Sequence, residues 1–477
     1  CKYAAMLEDP ADIRYMLEKA WHLATTGRMG PVWLDIPVNY QGCTIETDTL
    51  RGYDPAEDAA AMPAPVQKET VQQVAELIKN AKRPVLYAGN GIRLSGGFEK
   101  FREVVEKLGV PVVTSWDSLD LIEDDHPLYC GRGGNMGDRP GNFAVQNADL
   151  VLAVGIRLSI RQVGYDWKTW ARAAKVVMVD VDPAELKKPT LHIDLPVCAD
   201  AKDFLTALET AIAGEALPLN PQQGWRELCE SWKKNYPVVL PRHWAENGKT
   251  ANCYAFIRYV GEAAPAGTLA VTSNGTCCVA GNQCYCIKPG TRFINNNAIA
   301  SMGYGLPAAI GACIANGRKD TICLEGDGSI MMNLQELQTV VTNRLPLKLF
   351  LINNDGYHSI RQTQNNLFKE HCKVGIGPES GDLSFPSFEK IAGAFELPYY
   401  SAHSNAEMKA AVDKALAQEG PVFCEIFVDT QQIFEPKSAT KRLPDGTLVS
   451  PPLEDLAPFL PREELESIMQ IPLMDEV

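Results

Sequence analysis

Apolar positions in this 477-residue chain follow two rhythms. From Asp9 to Thr25, Ile13, Met16, Leu17, Ala20, Trp21 and Leu23 recur at helical spacing, and after Gly30-Pro31 the largely apolar run Val32 to Ile36 has the length of a strand. One helix and one strand cannot bury a core, so residues 1–43 are expected to be the C-terminal end of a larger α/β domain. The polar residues 44–68, with three prolines, read as a linker.

Helix and strand then alternate over 69–215. Val71 to Lys79 and Phe98 to Leu108 have helical spacing, while Pro84 to Ala88, Val112 to Thr114, Leu150 to Val154 and Val176 to Val181 read as short strands. Residues 216–250, polar and proline-bearing with three tryptophans, read as a second connection. A third alternating unit spans 251–433, and a Pro-rich tail of mixed charge fills 434–477. The expected class is α/β, with successive doubly wound parallel-sheet domains.

Composition narrows the function. The net charge of −14, with no long basic run, argues against a nucleic-acid groove or an anionic membrane surface. The weakly charged stretch Asn295 to Asn316 is interrupted by Gly303, Gly305, Pro307 and Gly311, so a buried turn and helix is expected there rather than a membrane span. Fourteen cysteines, clustered only at Cys277, Cys278, Cys284 and Cys286, read as reduced, mostly buried thiols, and a cytoplasmic protein is expected. The chain opens on Cys1 directly into patterned sequence, which makes a truncated or separately carried N-terminal region the expected reason for the partial first domain.

The chemistry concentrates near residue 327. Strand Thr321 to Leu324 runs into Glu325-Gly326-Asp327-Gly328-Ser329, a helix is marked by Ile330, Met331, Leu334, Leu337, Val340 and Val341, and strand Leu347 to Ile352 ends in Asn353-Asn354-Asp355-Gly356. A right-handed crossover makes the two strands parallel and brings Asp327 and Asn354 to the same sheet edge, where ligands of open α/β sheets bind. A helix starting near Ser329 offers free N–H groups to phosphate, and Gly326 and Gly328 allow close approach. Mg²⁺ seeks six oxygens, and the Asp327 carboxylate, the Asn354 amide oxygen, the Gly356 carbonyl, two phosphate oxygens and a water supply them.

Gly326-Asp327-Gly328 followed by Asn353-Asn354 resembles the fingerprint of thiamine diphosphate enzymes. Ser301-Met302-Gly303-Tyr304-Gly305-Leu306-Pro307 resembles the segment preceding that motif in acetohydroxyacid (acetolactate) synthase large subunits. Gly30 to Pro37 and Ala148 to Gly155 resemble the end of their first domain and a strand of their central one. The resemblance implies domains of the thiamine diphosphate enzyme type. Thiamine diphosphate and Mg²⁺ would be the cofactors, and the reaction would be decarboxylation of a 2-keto acid with carboligation. Decarboxylation alone, C–C lysis and a non-catalytic cofactor-binding subunit are the alternatives.

Carried over by position, Met302 would be the apolar wedge under the cofactor. Gly275, Thr276, Cys277, Ala300, Gly326, Asp327, Gly328, Ser329, Asn354, Tyr357, His358 and Ser359 would contact it, although Thr276-Cys277 replaces the family's usual Gln-His. His358, Arg361 and Gln362 are candidates to receive a substrate carboxylate or are solvated loop residues. Synthases of the family differ over Tyr357 to Gln364, so no particular substrate is carried over. The family's activating Glu belongs to a first-domain segment with no counterpart here, which implies a second subunit completing the site, in a homodimer, a homotetramer or with a separate chain.

A nucleotide in the central unit remains open. Gly89-Asn90-Gly91 follows a strand, but the third glycine of a dinucleotide fingerprint falls at Leu94. Gly155 to Arg161 partly resembles the family's FAD segment without its acidic residues, so FAD stays an option. Asp180 and Asp182 would either hold a ribose or cap the next helix.

Overall fold

The computed structural model describes residues 1–61, 63–368, 373–442 and 445–474, so the last three residues of the expected tail and Cys372 lie outside the described residues. In chain order the main strands are β1 (Tyr3–Met6), β2 (Val32–Asp35), β3 (Pro84–Ala88), β4 (Val112–Thr114), β5 (Tyr129–Arg132), β6 (Leu150–Val154), β7 (Lys175–Asp180), β8 (Leu195–Cys198), β9 (Leu269–Thr272), β10 (Arg292–Ile294), β11 (Thr321–Gly326), β12 (Leu347–Asn353), β13 (Tyr399–Ala402) and β14 (Val422–Phe427). The chain divides into two compact units, one of residues 1–110, 149–157 and 174–222, the other of 111–148, 158–173 and 223–477.

In the first unit, β3, β6, β7 and β8 form a parallel ladder in that order. β3 and β6 are buried at every position, as continuous apolar strands covered on both faces should be. The Asp149 carboxylate accepts from the backbone N–H groups of Lys82 and Arg83, each at 2.8 Å, and so aligns the start of β3. Ahead of the ladder, β1 pairs parallel with β2 from Tyr3↔Val32 to Met6↔Asp35, and helix Ile13–Thr25 buries Met16, Ala20 and Leu23. Its other apolar face, Leu17 and Trp21, is exposed, as is Trp33 on β2.

The second unit holds a parallel sheet in the order β10-β9-β11-β12-β14-β13. Side chains alternate between its faces. Ile322, Leu324, Phe350 and Ile352 join a core with Tyr254, Phe256 and Ile257 of helix Cys253–Ala263 and with Val412 of helix Asn405–Ala417. Cys323, Leu349 and Leu351 join the opposite core with Leu306 and Ile310 of helix Gly305–Ala315. Helices on both faces of an all-parallel sheet make this a doubly wound α/β unit. At the amino end of β12, the nearly inaccessible Lys348 donates its ammonium to the carbonyls of Gln418 and Gly420.

Some elements differ from the pattern-based reading. The helix expected from Ile330 to Val341 is broken: a turn at Asp327–Ile330 is followed by a 3₁₀ turn at Leu334–Glu336 and a helix at Leu337–Thr342. Asn333 leaves helical geometry between them (φ −139°, ψ 34°) and donates its amide to the Gly303 carbonyl at 2.7 Å. Within the segment read as a second connection, Gln223–Asn235 is a helix burying Trp225, Cys229 and Trp232. Its Trp232 meets Phe143 edge-on at 5.8 Å between centroids, so tertiary packing stabilises a helix that composition alone disguises.

Candidate active site

The strand order places a switch point in the second unit: β10 follows β9 on one side, and β11 returns to the other. The crevice at the carboxyl ends of β9 and β11 is where such sheets bind ligands. It opens here as a cavity of about 250 Å³ lined from four segments: by Asn274, Thr276 and Cys277, by Met302, by Gly326 to Ser329, and by Ile352, Asn354 and Gly356 to Ile360. Helix Gly275–Cys284, directly after β9, turns its first residues into this space. Its free N–H groups and positive dipole end therefore face whatever occupies the cavity.

Asp327 and Asn354 meet as the βαβ geometry requires. The Asp327 carboxylate is buried and accepts from the Gly328 N–H at 2.7 Å and the Gly356 N–H at 2.9 Å. Burial pushes its pKa up to about 7, against the lowering effect of those N–H groups. The Asn354 side-chain N–H donates to Thr276 Oγ1 at 3.1 Å, while its carbonyl oxygen is buried with no hydrogen-bond partner. A buried carboxylate without a cation beside a buried acceptor without a donor is the donor set a hard divalent ion satisfies. The residues fit Mg²⁺ and a diphosphate.

The turn that follows Asn354 is conformationally demanding. Asp355 has φ +55° and Gly356 φ +130°. A Cβ on Gly356 would lie 2.0 Å from the Ile376 carbonyl oxygen, so this backbone fits only as glycine. Gly328 is needed for a different reason: a Cβ there would lie 2.3 Å from the Tyr357 ring.

Ser329 ties the Met302 turn to this centre. Its hydroxyl lies 2.8 Å from that of Ser273 and accepts the Gly303 N–H at 2.9 Å. Met302 thus projects from a clamped turn into the cavity and remains 41 % exposed. Ala300, two residues earlier, holds φ +55° without lining the space, and Gly275 (φ +58°) also stands just outside it. Behind the motif, Glu325 is fully buried and held by the Leu306 and Gly326 N–H groups, and burial raises its pKa.

Tyr357, His358 and Ser359 line the cavity, but the loop reading of this segment is corrected: His358–Leu367 is a helix. His358 and Arg361 are buried rather than solvated. His358 Nε2 lies 2.7 Å from the Gln432 carbonyl, and burial lowers its pKa to about 4, so the ring is neutral near pH 7. Arg361 is engaged by Glu379 and by two backbone carbonyls and does not line the cavity; Gln362 donates to the Gln432 carbonyl at 3.1 Å. The Arg361–Glu379 pairing spans 18 residues and carries no sequence signature; only the fold reveals it.

In the first unit, the glycines that suggested a dinucleotide face each other. A Cβ on Gly89 would lie 2.2 Å from the Gly155 carbonyl oxygen. Asp182 caps the turn Pro183–Leu186 by accepting the Ala184 N–H at 2.9 Å and pairs with Arg28, and Arg157 donates to Glu185 at 2.7 Å. Capping is therefore the role of Asp182 that the geometry displays.

Two family models match the chain: the thiamine pyrophosphate enzyme central domain over residues 71–208, and the thiamine pyrophosphate enzyme C-terminal TPP binding domain over 273–426. Maize chloroplastic acetolactate synthase 1 is 32 % identical over 441 residues, covering 90 % of this chain and 67 % of that protein. The Escherichia coli acetolactate synthase isozyme 1 and isozyme 2 large subunits are each 29 % identical, covering 90 % and 96 % of this chain and 73 % and 78 % of their own lengths. The chain thus spans about two thirds of the maize protein.

Proposed function

The chain belongs to the thiamine pyrophosphate enzymes, among relatives of the acetolactate synthase large subunits, and from that premise we propose that it binds thiamine diphosphate through Mg²⁺ and serves decarboxylation of a 2-keto acid with carboligation. The observation that carries this reading is the unsatisfied Asn354 carbonyl oxygen beside the buried Asp327 carboxylate, at the mouth of a helix N-terminus.

Asp327, Asn354 and the Gly356 carbonyl would hold the cation, and the first N–H groups of helix Gly275–Cys284 would face the diphosphate. Met302, Ile352, Tyr357 and Ile360 give the cavity its apolar walls. Thiamine diphosphate, if bound there, would supply a carbon nucleophile for the keto group and, in its positively charged thiazolium ring, a sink for the electron pair released with CO₂. Among the described residues lining the cavity the only carboxylate is Asp327, which the cation would occupy. In keeping with the family resemblance, the acid that protonates the aminopyrimidine is assigned in this proposal to a Glu of another segment, in an oligomer that brings the two together. The glycines and acids that suggested FAD are engaged within the first unit, so the proposal does not include it; yellow flavin absorbance of the purified protein would add it.

The test is calorimetric titration of the full chain with thiamine diphosphate, with and without Mg²⁺, followed by supply of 2-keto acids and separate measurement of CO₂ and joined product. Mg²⁺-dependent binding with both products supports the reading. CO₂ without joined carbons points to the decarboxylase or lyase alternative, and binding without turnover to a cofactor-holding subunit. No Mg²⁺-dependent binding overturns the proposal.

A further inference from the structure

We propose that Arg361 is a positioning residue: its guanidinium, fastened to Glu379, holds the turn Asn354–Gly356 in the one conformation that ligates the cation. The inference rests on the metal and diphosphate reading above and concerns how that site is kept ready. Arg361 is 1 % exposed, and its side chain is the largest of those fully buried. One Nη donates to the Asn354 carbonyl at 3.0 Å and the other to the Asp355 carbonyl at 2.8 Å, while Nε donates to Glu379 at 2.8 Å. A planar fork that meets two consecutive carbonyls and one carboxylate leaves the turn little freedom, which an ammonium point charge would not reproduce.

The turn needs such a hold. Asp355 is an L-residue in left-handed backbone, and Gly356 at φ +130° sits where only glycine fits. The carbonyl of Ile376 accepts the Tyr357 N–H at 2.7 Å, so the 376–379 stretch packs on the turn from outside. Glu379 fastens that stretch to Arg361, and Lys373 holds its second carboxylate oxygen at 2.6 Å. Without the guanidinium the two carbonyls lose these donors, and the strain is opposed only by the bonds of the Gly356 N–H to Asp327, the Asp355 N–H to the Asn353 side chain and the Tyr357 N–H to Ile376. The places of Asn354 and Gly356 beside Asp327 in the cavity wall are then no longer fixed.

The experiment uses the full chain as wild type, Arg361→Gln, Arg361→Lys and Glu379→Gln. Amide hydrogen exchange without cofactor reads the turn directly: exchange at Asp355–Tyr357 is expected to quicken in Arg361→Gln while β11 and β14 keep their protection. If the competent turn falls to about one molecule in ten, the Mg²⁺ needed for half-saturation with thiamine diphosphate rises about 10-fold, and excess Mg²⁺ restores full stoichiometry. Glu379→Gln should shift both readouts in the same direction by less. Should Arg361→Gln fail to fold, Arg361→Lys is read in the same two measurements, with the same signs expected. Unchanged exchange at the turn overturns the proposal, as does a loss of binding that excess Mg²⁺ does not reverse. A wild type that binds no thiamine diphosphate refutes the site reading instead, and the exchange data still decide whether the clasp holds the turn.

Discussion

Replacing Gly356 by alanine tests the site's backbone against a built-in control. The new Cβ would lie 2.0 Å from the Ile376 carbonyl oxygen, in backbone at φ +130°. An L-residue in left-handed backbone costs about 1–2 kcal/mol. Opening the contact displaces the oxygen that accepts the Tyr357 N–H at 2.7 Å, a bond worth about 1 kcal/mol, and overpacking adds about 1 kcal/mol or more. The expected loss is therefore about 3 kcal/mol or more. Gly381 has φ +75° with no atom within 4 Å of the place its Cβ would take, so Gly381→Ala should incur the backbone term alone, about 1–2 kcal/mol. The entropy gained by restricting the unfolded chain is the same in both variants and cancels in the comparison. At roughly 1–2 °C per kcal/mol for a cooperative unit of this size, Gly356→Ala should melt at least about 2 °C below Gly381→Ala. It should also lose Mg²⁺-dependent thiamine diphosphate binding, which the control keeps. Thermal unfolding of both full-length variants, with calorimetric cofactor titration, reads the two effects. Equal melting temperatures, or wild-type Mg²⁺ dependence in Gly356→Ala, would refute the steric reasoning.

Other outcomes follow from single groups. Asn354→Ala removes a buried acceptor that has no partner together with the N–H that Thr276 Oγ1 accepts, effects of about 1 kcal/mol each and opposite sign, so cofactor-free stability should change by no more than about 1 kcal/mol while Mg²⁺-dependent cofactor affinity falls at least about 10-fold; a large loss of stability with intact affinity would contradict the assignment. Burial pushes the Asp117 carboxyl up to about 6, above its unfolded value, so the native state binds the proton more tightly. The stability this lends is complete below about pH 4 and lost as pH rises through about 6, with about 3 kcal/mol at most at stake. Asp117→Asn should accordingly raise the melting temperature at pH 8 and leave it nearly unchanged at pH 4, and an equal effect at both would count against the burial argument. Among the described thiols, Cys1, Cys43 and Cys198 are exposed and should react with a disulfide reagent in the native protein, whereas Cys253, Cys277 and Cys323, buried with raised pKa values, should react only on unfolding.

Much of the site was legible in the sequence because parallel-strand topology obeys few rules. Once Thr321 to Leu324 and Leu347 to Ile352 read as consecutive parallel strands, handedness alone put Asp327 and Asn354 at one edge. Residues defined by long-range partners were not legible. Arg361 looked like a solvated or substrate-facing cation because its carboxylate partner, Glu379, has no periodic relation to it. The helix break at Asn333 depends on a bond to Gly303, 30 residues earlier. Strand β1 escaped notice because four residues beginning at Tyr3 carry too little pattern without their partner β2. Helix Gln223–Asn235 was hidden by composition, although Trp225, Cys229 and Trp232 do keep helical spacing.

Lys348 stands at the opposite end of β12 from the Asn354–Gly356 turn, about 20 Å away at the usual strand rise, and grips the carbonyls of Gln418 and Gly420. That grip acts as a register pin. A slip of a single residue would swap Phe350 and Ile352 with Leu349 and Leu351 between the two cores and pull Asn354 out of line with Asp327. Precision at the reactive edge is thus partly set at the edge where no chemistry occurs, and redesign of the cavity walls can proceed freely only while that distant lysine is left alone.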